Sequence, residues 1–108
     1  MVVEEQIDIE PAALPGGPIP DSLYAPFGEY WATAKRIVET CENPGLRPDA
    51  ISATGDYGIM QINAATWANY MTEKGYDFWN QWMIPEVNVA MGAEIFWNNG
   101  GFGHWTCY

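Results

Sequence analysis

Eight prolines divide this chain of 108 residues into stretches that can and cannot form regular structure. Pro11, Pro15, Pro18, Pro20 and Pro26 crowd the first 26 residues, among Gly16, Gly17 and several acidic side chains. Proline fixes φ and removes a donor, so this density excludes helix and sheet and favours extended chain. Residues 1–26 are therefore expected to form an acidic Pro/Gly-rich tail or linker, and residues 27–108 a single domain. Pro44 bars helix from the residue before it, which places the end of a first helix at Glu42. Pro85 suits the first turn of a last helix, expected over Pro85 to Asn98.

Hydrophobic spacing fills in the elements between these stops. Tyr30, Ala34, Ile37, Val38 and Cys41 recur at helical intervals, which predicts a helix over 28–42 with Lys35 and Glu39 on its solvated face. Pro48 to Gly58 reads as loop, and Ile59 to Ile62 as a short extended piece. Asn63 is a good N-cap for a helix over Ala64 to Lys74, with Trp67, Tyr70 and Met71 on one face and Gly75 as its stop. Asp77 to Met83 suggests a helical turn. The last helix carries Val87, Met91 and Ile95 as its stripe, and Gly92 within it implies a close packing contact. The class is mainly α, a small domain with minimal β.

Charge narrows the partners. Four Lys plus Arg against fourteen Asp plus Glu give a net charge of −10. Nucleic acid needs a basic footprint, which this chain lacks, and anionic lipid would repel it. No window has the apolar length of a membrane span. The acidic first ten residues lack the basic and apolar regions of a signal peptide. Six Trp and six Tyr are many for this length and fill a core or line a groove that stacks on sugar rings. Cys41 and Cys107 lie in no metal-ligand spacing; they are either one disulfide or two buried thiols. His104 is the only histidine, without a Ser or Cys partner for a triad, and reads as structural. No metal and no cofactor are implied.

Two carboxylates stand out. Glu42 falls at a helix C-terminus, where the negative end of the macrodipole disfavours an ionised carboxyl; a general acid for glycoside cleavage needs to keep its proton. Asp56 lies in Gly55-Asp56-Tyr57-Gly58-Ile59-Met60-Gln61-Ile62-Asn63, within a loop where a turn role is the alternative. Two carboxylates flanking one bond would support a lysozyme-type reaction. On an extended segment Gln61 and Asn63 point the same way and could bind an N-acetyl group or sugar hydroxyls, with Tyr57 adding a ring face.

These residues resemble the transglycosylase SLT and lysozyme-like superfamily. Cys41-Glu42 resembles the family's C-E-S-G helix end, Pro48-Asp49-Ala50-Ile51-Ser52 its N-P-x-A-x-S, and Gly58-Ile59-Met60-Gln61-Ile62 its G-L-M-Q-I. Val87-Asn88-Val89 with Gly92 is similar to its V-N-I-x-x-G helix, and the segment from Gly101 to Cys107 to the G-W-x-x-W-x-C ending of phage and actinobacterial members. The resemblance implies a substrate groove beside Glu42 and a Cys41–Cys107 disulfide. It further implies cleavage of the β-1,4 bond between N-acetylmuramic acid and N-acetylglucosamine in peptidoglycan glycan strands.

Glu42 would be the general acid and Asp56 the nucleophile or stabiliser, with Tyr57, Gln61 and Asn63 binding substrate. If Asp56 lies too far away, a 1,6-anhydro product is favoured. The Ser that follows the acid in the family is absent. Anchoring on Pro48 puts Asn43 at the acid position, and anchoring on Cys41 puts Glu42 there with one residue inserted before Gly45. Glu42 is preferred because loops accept insertions more easily than helix ends; Glu39, one turn back, is a weaker candidate. The alternative is an inactive cell-wall-binding or virion structural protein, with the tail joining a larger assembly. Either places the protein outside the cytoplasm, secreted or virion-associated.

Overall fold

A computed structural model describes residues 20–107; most of the expected tail lies outside the described residues. The domain is mainly helical. A 3-10 helical segment, Asp21–Tyr30, leads into α1 (Trp31–Ile37) and a π-helical turn, Val38–Glu42. A hairpin of β1 (Asp56–Tyr57) and β2 (Ile62–Asn63) follows, then α2 (Ala64–Glu73), α3 (Phe78–Gln81), α4 (Pro85–Asn98) and a short helical turn, Gly101–His104.

Asp21 to Pro26, which proline density assigns to extended chain, are instead helical and packed on the domain. The reason is burial. In a 3-10 helix residues three apart eclipse, so Tyr24 and Phe27 share one face, and both are fully buried. Phe27 stands 5.5 and 5.7 Å from Phe96 and Phe102, ring centre to ring centre. The Tyr24 hydroxyl donates to Glu39 Oε2 at 3.0 Å. The Trp97 indole N–H donates to the Pro26 carbonyl at 2.9 Å. Gly28, at φ +58°, kinks the chain within this segment.

The first helix ends at Glu42, as Pro44 requires, but its last turn is wider than an α-turn: the Asn43 N–H bonds the Val38 carbonyl at 2.8 Å. Ala34, Ile37 and Val38 face the core. Tyr30 and Cys41, expected on the same stripe, are exposed; Tyr30 leans on the rings of Phe96 and Trp97. Asn63 caps α2 as its sequence position suggests, accepting from Thr66 N–H at 3.0 Å, and Gly75 follows the helix at φ +98°.

α4 runs from Pro85 to Asn98 and is the central element, with Val89, Met91, Ala93 and Ile95 in the core. Gly92 meets Met60: a Cβ there would lie 3.1–3.2 Å from that side chain. Asn88 is fully buried among these apolar residues. Its Oδ1 accepts the Met60 N–H at 2.8 Å, and its Nδ2 donates to the Tyr57 and Trp82 carbonyls at 3.0 Å each. Gly58, at φ +80°, leaves room for it; a Cβ at that position would sit 2.2 Å from Asn88 Nδ2. One helix side chain thus pins the hairpin turn to the core.

Removing it takes the partner from the buried Met60 N–H and Trp82 carbonyl and from the part-buried Tyr57 carbonyl. Asn88→Ala is expected to cost about 3 kcal/mol, because buried groups left without partners carry their full desolvation penalty. Urea denaturation measures this, and a loss under about 1 kcal/mol would mean that the hairpin holds itself.

Candidate active site

Three stretches of chain converge at the end of the first helix: Cys41 to Asn43, the hairpin turn, and the C-terminal segment. Asn43 makes the first junction. It is buried at 5% exposure, its Nδ2 donates to the Arg47 and Gly58 carbonyls at 2.8 and 3.2 Å, and its Oδ1 accepts the Arg47 N–H at 3.0 Å. The amide folds the loop after Pro44 back on the helix end and ties that end to the hairpin.

The hairpin is antiparallel, with Asp56 opposite Asn63 and Tyr57 opposite Ile62, and Ile51 adds one bridge to Tyr57. The expected extended run over Ile59 to Ile62 is shorter: Gly58 to Gln61 form a turn, with Gln61 at φ +53°. Gln61 and Asn63 therefore do not alternate on a strand. Gln61 Nε2 donates to the Ala50 and Gly58 carbonyls at 3.3 and 3.0 Å, and its Oε1 has no partner among the described residues. Asn63 donates to the Thr54 carbonyl and Asp56 Oδ1, while its Oδ1 caps α2.

Asp56 is held from three sides. Its Oδ2 accepts from Ser52 at 2.6 Å and Thr54 at 2.5 Å, and its Oδ1 from Asn63 at 3.0 Å. Burial by itself would raise its pKa, but the three hydrogen bonds to the ionised form outweigh burial and hold it below the usual carboxylate value. A carboxylate so engaged fixes the hairpin and has little free acceptor capacity.

Glu42 differs. It is half-buried, and its Oε2 accepts from the Cys107 N–H at 3.2 Å and the Thr106 hydroxyl at 3.4 Å. Its Oε1 has no partner among the described residues. Cys41, the residue before it, forms a disulfide with Cys107. On the hairpin side, the indole N–H of buried Trp105 donates to the Met60 carbonyl at 2.8 Å. The C-terminal segment is therefore fixed to both the helix end and the hairpin.

The remaining candidates have other partners. Tyr57 is half-buried and packs edge-on against Phe78, Trp79 and Trp82. Glu39 is bound by Tyr24 and by Lys35, 2.6 Å away, one turn back from Glu42. Burial and the Glu39 bond together push the Tyr24 hydroxyl pKa up. His104 meets the Asn99 carbonyl and stands edge-on to Trp67. Among the described residues no group of three or more His, Cys, Asp or Glu could hold a metal ion, and no helix is long and apolar enough to cross a membrane. Asn43, which one alignment of the motif puts at the acid position, is instead a buried tie between loop, helix end and hairpin; the roles of Asn88 and Thr106 are not signalled by the motifs that contain them. Asn88 was detectable as an amide between Val87 and Val89 in an apolar stretch of helix; Thr106 acquires its contact only through a fold spanning 64 positions.

These features define a small helical domain in which a helix-terminal carboxyl stands beside a short polar hairpin and a disulfide-anchored C-terminal segment. The transglycosylase SLT domain family matches residues 43–107, more than half of the chain, and the chain belongs to that family. Membership brings lytic-transglycosylase or lysozyme-like activity on peptidoglycan. Neither curated proteins nor solved structures match the chain.

The state of Asp56 makes a pH test possible. With its folded value lowered, its stabilising contribution is complete above the ordinary carboxylate value, about 4, and is lost as pH falls through the folded value. Asp56→Asn is expected to cost about 1 kcal/mol at pH 7, kept modest by solvent screening, and the gap to the parent should shrink below pH 4. Denaturation at pH 7 and pH 3 checks it; an equal gap at both would show that the charge is not what matters.

Proposed function

We propose that this protein is a lytic transglycosylase that cleaves the β-1,4 bond between N-acetylmuramic acid and N-acetylglucosamine, with Glu42 as its one general acid. The observation that carries this reading is the contrast between the three polar groups that the motifs offer for the role. Asn43 is buried and spends its amide on backbone. Asp56 is engaged on both oxygens. Glu42 alone combines partial exposure with an oxygen that no described residue occupies.

In this reading Glu42 Oε1 gives its proton to the glycosidic oxygen as the bond to the anomeric carbon breaks. The sugar left behind is an oxocarbenium-like cation. Asp56, tied into the hairpin, contributes negative charge nearby rather than a covalent bond. The C6 hydroxyl of the same sugar then attacks the anomeric carbon and returns its proton to Glu42, which closes a 1,6-anhydro ring and restores the acid. Gln61 Oε1 is available to accept from a substrate N–H or hydroxyl, and Tyr57 offers an aromatic edge on the same hairpin. Asn63 supports the site by capping α2 and bonding Asp56. The disulfide fits an extracytoplasmic setting, where such bonds persist.

The test is release of soluble fragments from purified bacterial cell walls. Glu42→Gln should lower release by about 10³-fold or more while wall binding survives, and Asp56→Asn should stay within about tenfold of the parent. Mass spectrometry should find products lighter by one water than hydrolysis would give. Hydrated products would assign a lysozyme instead. No release by the parent would leave the alternative of a cell-wall-binding or virion structural component.

A further inference from the structure

We propose that Thr106 and Cys107 form an orienting clamp on the Glu42 carboxyl that decides which of its two oxygens carries the working proton. The inference rests on Glu42 being the acid. Both donors end on the same atom: the Cys107 N–H reaches Oε2 at 3.2 Å and the Thr106 hydroxyl reaches it at 3.4 Å. A protonated carboxyl has one hydroxyl oxygen and one carbonyl oxygen, and the carbonyl oxygen is the better acceptor. Two donors on Oε2 give it that carbonyl role and place the proton on Oε1. Oε1 is the oxygen without a partner among the described residues. When the proton leaves, the same two bonds hold the carboxylate in place until Oε1 is protonated again.

The clamp is built to stay put. Its main donor is backbone, which has no rotamer to lose. Cys107 is cross-linked to Cys41, the residue next to Glu42, so donor and acceptor are joined through a short covalent path despite a sequence separation of 66. On the other side Trp105 anchors the segment to the Met60 carbonyl in the hairpin. A free Glu side chain samples several rotamers, and misplacement of an acid by about 1 Å costs on the order of 10²-fold in rate. Thr106 and Cys107 are thus positioning residues for the acid, not catalytic ones.

Two measurements test this, one of them independent of activity. In hydrogen–deuterium exchange by NMR, the Cys107 amide should be protected in the parent and in Glu42→Gln, which keeps an acceptor. It should exchange at least about tenfold faster in Glu42→Ala. Equal exchange in all three overturns the clamp whether or not Glu42 is the acid. On a soluble peptidoglycan oligosaccharide, Thr106→Val should lower kcat about threefold with KM within about twofold and an unchanged melting temperature, and Thr106→Ser should restore it. The Cys41→Ser/Cys107→Ser double variant, assayed well below its own melting temperature, should lose about tenfold in kcat. Unchanged kcat in Thr106→Val and in the double variant, with Glu42→Gln inactive, would overturn the clamp and leave Glu42 as the acid. Full activity in Glu42→Gln would instead overturn the assignment of the acid, and the exchange result would still decide the clamp.

Discussion

The buried amide of Asn88 is the contact on which the site depends. Two-residue strands make a hairpin too short to be stable alone. The turn between them also contains Gln61 in a left-handed conformation, which L-residues adopt only at some cost. Something outside the hairpin has to hold it, and Asn88 does so from the first turn of α4 by bonding Tyr57 at the end of β1 and Met60 within the turn. The arrangement works because Gly58 has no Cβ. A methyl group there would collide with the amide and with the Trp82 carbonyl.

The same device recurs around the site. Asn43, Gln61 and Asn63 each turn their side chains onto backbone groups of loops that have almost no ladder of their own. Side-chain amides suit this work because each offers both a donor and an acceptor. The consequence is a division of labour between the two carboxylates. Asp56 sits inside the amide and hydroxyl frame, is stabilised in its charged form, and serves as a fixed part of it. Glu42 stands at the edge, where one oxygen is gripped and the other is left available. A general acid needs that asymmetry, and a structural carboxylate does not.

Much of the helical framework is legible in the sequence because its signals are local. Pro44 and Pro85, the Asn63 cap and the Gly75 stop act within a turn of themselves, and the helix ends they mark are where the chain places them. The segment from Asp21 to Pro26 was not legible. Local proline chemistry favours extended chain there, and the burial of Tyr24 and Phe27 against partners such as Phe96, Phe102 and Glu39 overrides it. Gln61 fails for a similar reason: alternation predicts a strand, while the turn at Gly58 is fixed by a residue 30 positions on from it. At the site, the candidate carboxylates Glu42 and Asp56 can be found from motif and helix end. Their hydrogen-bond partners cannot, since Thr106 and Cys107 meet Glu42 only after the chain has closed on itself.

That closure raises a question of what the cross-link is for. A disulfide over this separation stabilises a fold by roughly 4 kcal/mol on the chain-entropy view, chiefly by restricting the unfolded chain. That effect depends on loop length and is almost indifferent to where in the folded domain the sulfurs lie. A bond anywhere between the first helix and the C-terminal segment would contribute nearly as much. The bond in this domain instead joins the residue next to Glu42 to the residue whose N–H binds Glu42. Stability alone does not select that position, whereas holding a donor against a carboxyl does. The placement is explained by its action on the folded state, where it fixes the distance between two groups that no element of secondary structure brings together.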